Sequence, residues 1–209
     1  MLKYIAIILA VILFSTEATG QKVLQKEFNA SGFETLAIKS DEVFTVNIST
    51  KQTDKITIQT HVEGEHYESV LVNTSEKNRK LLVTTSYSPF FKKENDKLAA
   101  HKVIAIDMDI TIPEAMGVEI ESKIASVTGK GTFKNVYVAL ENGTCSFKNF
   151  VGNATLYTKK GAIAVYAKPN VSGEAISKKG TISNQLPRKG KYKIKAESIT
   201  GSITLLQNK

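Results

Sequence analysis

The chain has 209 residues, and its 28 lysines and arginines against 20 aspartates and glutamates give a formal net charge of +8. That length suits a single domain with room for a real hydrophobic core. The only cysteine, Cys145, excludes an intrachain disulfide, so we expect stability to come from packing and backbone pairing. The positive charge favours acidic partners.

The first 20 residues have the layout of a secretory signal peptide. A positive residue, Lys3, precedes an apolar run over 6–14, and the small residues Ala18 and Gly20 precede Gln21. The run is shorter than the roughly 20 residues that span a bilayer, although a retained N-terminal anchor is an alternative. We expect removal of residues 1–20 and a secreted, periplasmic or surface-exposed mature chain without a transmembrane segment.

The rest of the chain is expected to consist almost entirely of β-strands. The segment KVIAIDMDITIP, which includes Pro113, alternates strictly between apolar and polar side chains, as a half-buried strand does. Shorter runs such as VFTVNIS and KITIQTH have the same alternation, and no later segment has a capped helical period. An irregular stretch at 86–101 leads from the N-terminal strands (21–100) to a repeating part (101–209) within one domain.

The repeating part has a period of about 20 residues. Its alignment is anchored on Lys123, Gly143, Gly161, Gly180 and Gly201. Two positions later stand Ala125, Cys145, Ile163, Ile182 and Ile203, and four positions later stand Val127, Phe147, Val165, Asn184 and Leu205. Such columns predict an all-β, single-stranded β-solenoid whose coils stack in chain order and whose N-terminal strands continue or cap the stack. A β-sandwich is the alternative.

Two positions of the repeat carry more specific predictions. The glycine column fits corners at which the backbone adopts conformations unfavourable to other residues. Asn184 interrupts an apolar column, so we expect either a buried amide ladder or the point at which the last coil loosens.

Two stretches of the chain resemble a bacterial family. ITIPEAMGVEIESKIASVTGKGTF and VYVALENGTCSFKNFVGNATLYTKKGAIAV are similar to the adhesin-like β-strand-repeat families, which include the "putative autotransporter-adhesin head domain" and related domains of unknown function. FETLAIKSDEVFTVNIS resembles the opening of such domains, and the likeness spans residues 28–207. The resemblance implies a β-helix-like fold in an exported protein, and it implies no reaction.

The sequence gives little support to catalysis. His61 and His66 lie near several glutamates, but their spacing matches no metal-ligand motif and places them on opposite strand faces. Cys145 falls in an inward column, where a thiol is expected to be inert. Single glycines at repeat spacing do not form a phosphate-binding loop. We therefore expect no enzyme activity, no metal and no cofactor.

Lysines gather towards the C-terminus, where residues 159–209 hold 11 basic side chains and only two acidic ones. The repeat alignment places Lys159 beside Lys178, about 4.8 Å apart, where like charges repel each other. A strand over 191–196 presents further lysines, which either protect a terminal sheet edge or bind a polyanion. The candidate polyanion-binding residues are Lys159, Lys160, Lys178, Lys179, Lys189, Lys191, Lys193 and Lys195.

The irregular stretch contains the aromatic residues Tyr87, Phe90 and Phe91, which are candidates for contact with a protein partner. They could equally fold back and cover an open end of the solenoid.

These features together predict a non-enzymatic, adhesin-like binding or structural module of the bacterial envelope. An anionic glycan or another envelope polyanion is the expected ligand, and nucleic acid is not expected. The alternative function is a protein-interaction module in envelope sensing or signalling.

Overall fold

The computed structural model describes residues 21–64, 66–89, 91 and 104–208. In these ranges the backbone forms β-strands and two short 3₁₀ turns, at Ala30–Gly32 and Tyr67–Ser69, so the prediction of an all-β protein is confirmed. No helix of the described ranges is long and apolar enough to cross a membrane. The predicted signal peptide lies outside the described residues, as does most of the irregular stretch.

The strands are numbered in chain order. The N-terminal part contains β1 (Gln21–Asn29), β2 (Thr35–Lys39), β3 (Val43–Lys51), β4 (Lys55–Glu63), β5 (Val70–Lys77) and β6 (Lys80–Tyr87). The part that follows the irregular stretch contains β7 (Ala105–Pro113), β8 (Gly117–Ser122), β9 (Ser126–Asn142), β10 (Cys145–Lys160), β11 (Ile163–Ala167), β12 (Val171–Ser177), β13 (Ile182–Asn184), β14 (Tyr192–Ser198) and β15 (Ile203–Gln207).

The strands join in one mixed sheet in which two rows can be followed. The first row runs β5-β6-β2-β8-β9-β10-β14-β12, and the second runs β1-β4-β7-β3-β9-β10-β11-β15-β13. The long strands β9 and β10 belong to both rows, because the first part of each pairs in the second row and the last part pairs in the first. Buried side chains of both rows pack in a single hydrophobic cluster.

Strand β7 shows why the N-terminal part adds to these rows. Its isoleucines and Met108 are buried at alternate positions, as the sequence predicts. Opposite backbone edges of β7 pair with β3 in parallel and with β4 in antiparallel orientation. Strand β3 pairs with β9 in the second row, and β8 pairs with β9 in the first row. Through these two strands the N-terminal part extends both rows.

The strands of the repeating part do not lie side by side in chain order, and the predicted single-stranded solenoid is not confirmed. Strand β14 lies between β10 and β12 in the first row, and β15 lies between β11 and β13 in the second. The last two strands, β14 and β15, which we call the inserted coil, are therefore inserted between strands that precede them in the chain. This arrangement corrects the consecutive order that the sequence predicted.

The predicted columns need one further correction. Cys145 pairs with Ile163 on one side as predicted, but its other neighbour is Val127 rather than Ala125. The shift of two residues leaves the same side chains pointing inward, because strand side chains alternate with a period of two. It also places Gly129 beside Phe147, whose ring occupies the space that a Cβ at residue 129 would need.

The predicted glycine column is real, and close packing explains most of it. A Cβ on Gly161 would collide with the carbonyl oxygen of Gly143, one on Gly201 with that of Gly161, and one on Gly180 with that of Gly201. Of these four glycines only Gly161 has a positive φ, at 149°. Neighbouring turns lie too close together to leave room for a side chain at these positions. We call residues 143, 161, 201 and 180 the glycine turns.

A hydroxyl three residues before the glycine supports three of these turns. Ser198 Oγ donates a 3.2 Å hydrogen bond to the carbonyl of Gly161 and accepts one of 2.8 Å from the N–H of Gly201. Ser177 makes the equivalent pair of bonds at the next turn, and Thr158 donates to the carbonyl of Gly143. The recurring element is therefore a serine or threonine followed three residues later by glycine.

Replacing Ser198 by alanine is expected to lower the free energy of unfolding by about 1–3 kcal/mol, because the buried N–H of Gly201 and the partly buried carbonyl of Gly161 lose their partner. Ser183→Ala, on an exposed position of β13, is the matched control and should change it by less than about 0.5 kcal/mol. Urea denaturation of both variants measures the difference. Equal stabilities would mean that the hydroxyl is dispensable.

The end of the stack explains Asn184. Its side-chain amide donates to the carbonyl of Gly173 at 2.8 Å and accepts from the N–H of Leu186 at 3.1 Å. Leu186 is buried, and its Cδ1 would lie 2.9 Å from a Cβ on Gly173. Asn184 is exposed and forms no buried ladder, so it marks the place where the apolar column ends and Leu186 closes the core.

Candidate functional site

The four lysines beside the glycine turns are exposed but do not form one stack. The N–H of Thr200 donates to the carbonyl of Lys159, and the N–H of Lys179 donates to the carbonyl of Ile199. Ile199 and Thr200 of the inserted coil therefore separate Lys159 and Lys160 from Lys178 and Lys179. The expected contact between the two lysine pairs is wrong, and the repulsion that it implied is relieved.

The lysines of β14 lie in the middle of the first row. Lys195 has Thr155 of β10 on one side and Glu174 of β12 on the other. The ammonium of Lys193 lies 2.6 Å from a carboxylate oxygen of Glu174, and this hydrogen bond lowers the pKa of that carboxyl. Because β14 is not a terminal strand, protection of a sheet edge does not explain its lysines.

The remaining candidate lysines lie at the end of the stack. Lys189 and Lys191 belong to the segment between β13 and β14, and the Lys191 ammonium lies 5.3 Å from the centre of the Tyr192 ring. Arg188 of the same segment is exposed and was not singled out from the sequence, although it adjoins Lys189. We call the exposed residues Lys178, Lys179, Arg188, Lys189 and Lys191 the basic end.

A second feature lies on the outer face of the first row, where Tyr137 of β9 and Tyr157 of β10 occupy neighbouring strands. Tyr137 exposes 42% of its surface, and Tyr157 is half-buried. Tyr137 pairs with Thr155 across the strands, and Tyr157 pairs with Ala139, so a small side chain lies beside each ring. Sequence reasoning missed both tyrosines, because alternation alone marks them only as outward-facing.

Two shallow depressions adjoin these rings. One, of about 530 Å³, extends from Tyr137 towards Asn135, Asn153 and Lys195. The other, of about 760 Å³, is lined by both tyrosines and extends towards Lys39. The two depressions share Tyr137, and together we call them the tyrosine trough.

The charged side chains along the tyrosine trough are largely paired. The ion pairs are Lys80 with Glu119 at 2.6 Å, Lys39 with Glu121 at 3.0 Å, Lys159 with Glu141 at 3.6 Å, Lys193 with Glu174 at 2.6 Å, Arg79 with Glu34 at 2.9 Å, and Lys123 with Asp41. Two of the predicted polyanion-binding residues, Lys159 and Lys193, therefore already contact carboxylates.

The aromatic residues predicted to contact a protein fold back on the chain. The rings of Tyr87 and Phe91 stack at 4.9 Å between centroids, and Phe91 also meets His66 at 5.3 Å. Tyr87 packs against the hydrophobic cluster, and burial raises the pKa of its phenol. Phe90 lies outside the described residues, and a protein contact at this segment stays a prediction.

The residues considered for chemistry are dispersed. His61 lies on β4, 3.8 Å from a carboxylate oxygen of Asp109, whereas His66 lies in the turn after that strand. No group of three metal-binding side chains occurs among the described residues. Cys145 is buried, and desolvation raises the pKa of its thiol far above the ordinary value, so the nucleophilic thiolate is disfavoured.

Solved structures resemble this fold. A "putative cell adhesion protein" from Clostridium sporogenes matches with a TM-score of 0.64 and 16% identity, over 90% of this chain and 100% of that one. A "putative adhesin" from Bacteroides fragilis matches with a TM-score of 0.43 and 16% identity, over 88% and 97%. At such identity the first likeness establishes a shared fold. No protein-family model matches the sequence, and no curated protein matches it.

Proposed function

We propose that the chain is a non-enzymatic, adhesin-like binding module of the bacterial envelope, in which a solenoid-like stack of coils holds the basic end towards an anionic glycan or another polyanion. The observation that carries the proposal is the charge of this end. Of the ion pairs among the described residues, none includes Lys178, Lys179, Lys189 or Lys191. Among the described residues these four ammonium groups have no carboxylate partner, so each can contact an external anion.

The arrangement also suits a polymer better than a small anion. Lys178 and Lys179 follow β12, and Lys189 and Lys191 precede β14, so the two pairs lie at opposite ends of adjacent parallel strands. Strand β12 has 7 residues, which span about 23 Å at about 3.3 Å per residue. A chain of several anionic units could contact both pairs at once, and each contact would weaken with salt.

Replacing the four lysines Lys178, Lys179, Lys189 and Lys191 by glutamine is expected to reduce affinity for dextran sulfate at least tenfold, since each lysine near an anionic surface contributes about 1 kcal/mol. Binding of the unaltered protein should itself fall at least tenfold between about 50 and 500 mM NaCl, because the Debye length shortens. Calorimetric titration with dextran sulfate measures both effects.

The control removes the same four charges from the N-terminal strands by replacing Lys39, Lys51, Lys55 and Lys77 with glutamine. Equal affinity of the two variants for dextran sulfate would mean that the loss of binding depends only on the net charge of the protein. Affinity that is unchanged by salt would contradict the proposal.

A further inference from the structure

We propose that the tyrosine trough is a second binding site, separate from the basic end, which takes an uncharged oligosaccharide. The site consists of Tyr137 and Tyr157, the two depressions beside them and the polar groups that border these depressions. This inference does not rest on the proposed polyanion binding.

The shape of the trough follows from the register of its strands. Thr155 and Ala139 lie directly beside Tyr137 and Tyr157, so each ring stands next to a lower part of the sheet surface. The adjacent depressions, of about 530 and 760 Å³, have the volume of small-molecule sites. Because they meet at Tyr137, an extended ligand can occupy both and contact both rings.

The lining of the two depressions holds six acidic and six basic side chains, so the trough has no net charge to attract a polyanion. Glu119, Glu121 and Glu141 border the two depressions, and each is paired with a lysine. A polyanion would have to approach these carboxylates or break their ion pairs. An uncharged ligand meets neither cost, and its hydroxyl groups can donate hydrogen bonds to the outer lone pairs of the carboxylates.

Amide and hydroxyl groups complete the site. The Asn153 amide donates to the Asn135 side-chain oxygen at 3.2 Å, and its own oxygen accepts from the backbone N–H of Lys193 at 3.1 Å. This fixes Asn153 between β9 and β14, beside the Thr155 hydroxyl. A sugar has both an apolar ring face, which packs on an aromatic ring, and hydroxyls that suit amides and carboxylates.

The salt dependence expected here is opposite to that of the basic end. An uncharged ligand that packs on aromatic rings and donates hydrogen bonds from neutral hydroxyl groups forms no ion pair for salt to screen, so affinity should change less than about twofold between about 50 and 500 mM NaCl. The two sites can therefore be told apart in one protein, and either can fail without the other.

The test is calorimetric titration of the full mature chain with cellohexaose, maltohexaose, chitohexaose and mannohexaose. At least one should bind, and Tyr137→Ala should weaken that binding about tenfold, equivalent to about 1.4 kcal/mol. Tyr137→Phe should stay within about twofold, since the ring face is kept. Tyr166→Ala is the matched control: Tyr166 is also half-buried and outward-facing but lies on β11 in the second row, and its loss should leave binding unchanged.

Three results would overturn the inference. They are no binding of any of the four hexasaccharides at millimolar concentration, equal affinity in Tyr137→Ala and Tyr166→Ala, and binding that salt abolishes. Retention of the native melting temperature in Tyr137→Phe keeps the comparison valid if Tyr137→Ala is destabilised.

Discussion

Replacing Gly201 by alanine is expected to lower the free energy of unfolding by about 4 kcal/mol or more, or to prevent folding altogether. The added Cβ would overlap the carbonyl oxygen and carbon of Gly161 in the neighbouring turn and lie 2.9 Å from Ser198 Oγ. These are backbone atoms and a buried hydroxyl, so no flexible side chain can move aside. Relief requires β15 to shift away from β11, which breaks their paired register.

Gly32→Ala is the control for this change, because a Cβ on Gly32 meets nothing within 4 Å. Its effect should stay within about 0.5 kcal/mol. Chemical denaturation followed by far-ultraviolet circular dichroism compares the two variants. A Gly201→Ala protein as stable as Gly32→Ala would show that the glycine turns are not closely packed.

The glycine turns illustrate what the sequence can predict. A spacing of 18–21 residues between Gly143, Gly161, Gly180 and Gly201 was sufficient to place all four in one column, and the structure stacks them. The sequence did not give the correct reason for the column. It suggested that glycine is needed for an unusual backbone conformation, but only Gly161 of the four has a positive φ. Close approach between turns depends on three-dimensional stacking, which spacing alone does not reveal.

The order of the coils was not predictable from the columns, because β12 and β14 offer interchangeable inward residues. Gly173 and Ala175 occupy the same columns as Ile194 and Ala196, and either strand could pair with β10. The structure shows that the size of the inward-facing side chains distinguishes the two strands. Small Gly173 leaves room for Leu186 to close the end of the core, whereas the larger Ile194 is fully buried inside the row.

The candidate sites follow the same pattern. Sequence identified the lysines as exposed, and all eight candidates are. It could not identify Glu174 as the partner of Lys193, because these residues meet only through the pairing of β12 with β14. The tyrosine trough was invisible for a related reason. Tyr137 and Tyr157 are 20 residues apart, and only the register between β9 and β10 brings them to one surface.

Two double cysteine variants should differ in disulfide formation because of the inserted coil: one should form a disulfide, and the other should not. Thr155 and Lys195 are paired residues on adjacent strands, which lie about 4.8 Å apart, and this spacing is within the Cα separation that a disulfide requires. Thr155→Cys with Lys195→Cys should therefore oxidise almost completely in air. Thr155→Cys with Glu174→Cys should not, because β14 lies between these residues and separates them by about 9.6 Å.

Coils stacked in chain order would reverse the two outcomes, since β12 would then be adjacent to β10. The native Cys145 takes no part, because it is buried and its thiol resists ionisation. Glu174→Cys with Lys195→Cys, which are paired in the structure, is the positive control for oxidation at this surface. Mass spectrometry of non-reduced tryptic peptides identifies the linked pair. A Thr155–Glu174 crosslink would contradict the inserted coil, whereas a Thr155–Lys195 crosslink requires β14 to lie beside β10, where its lysines cannot serve to protect a sheet edge.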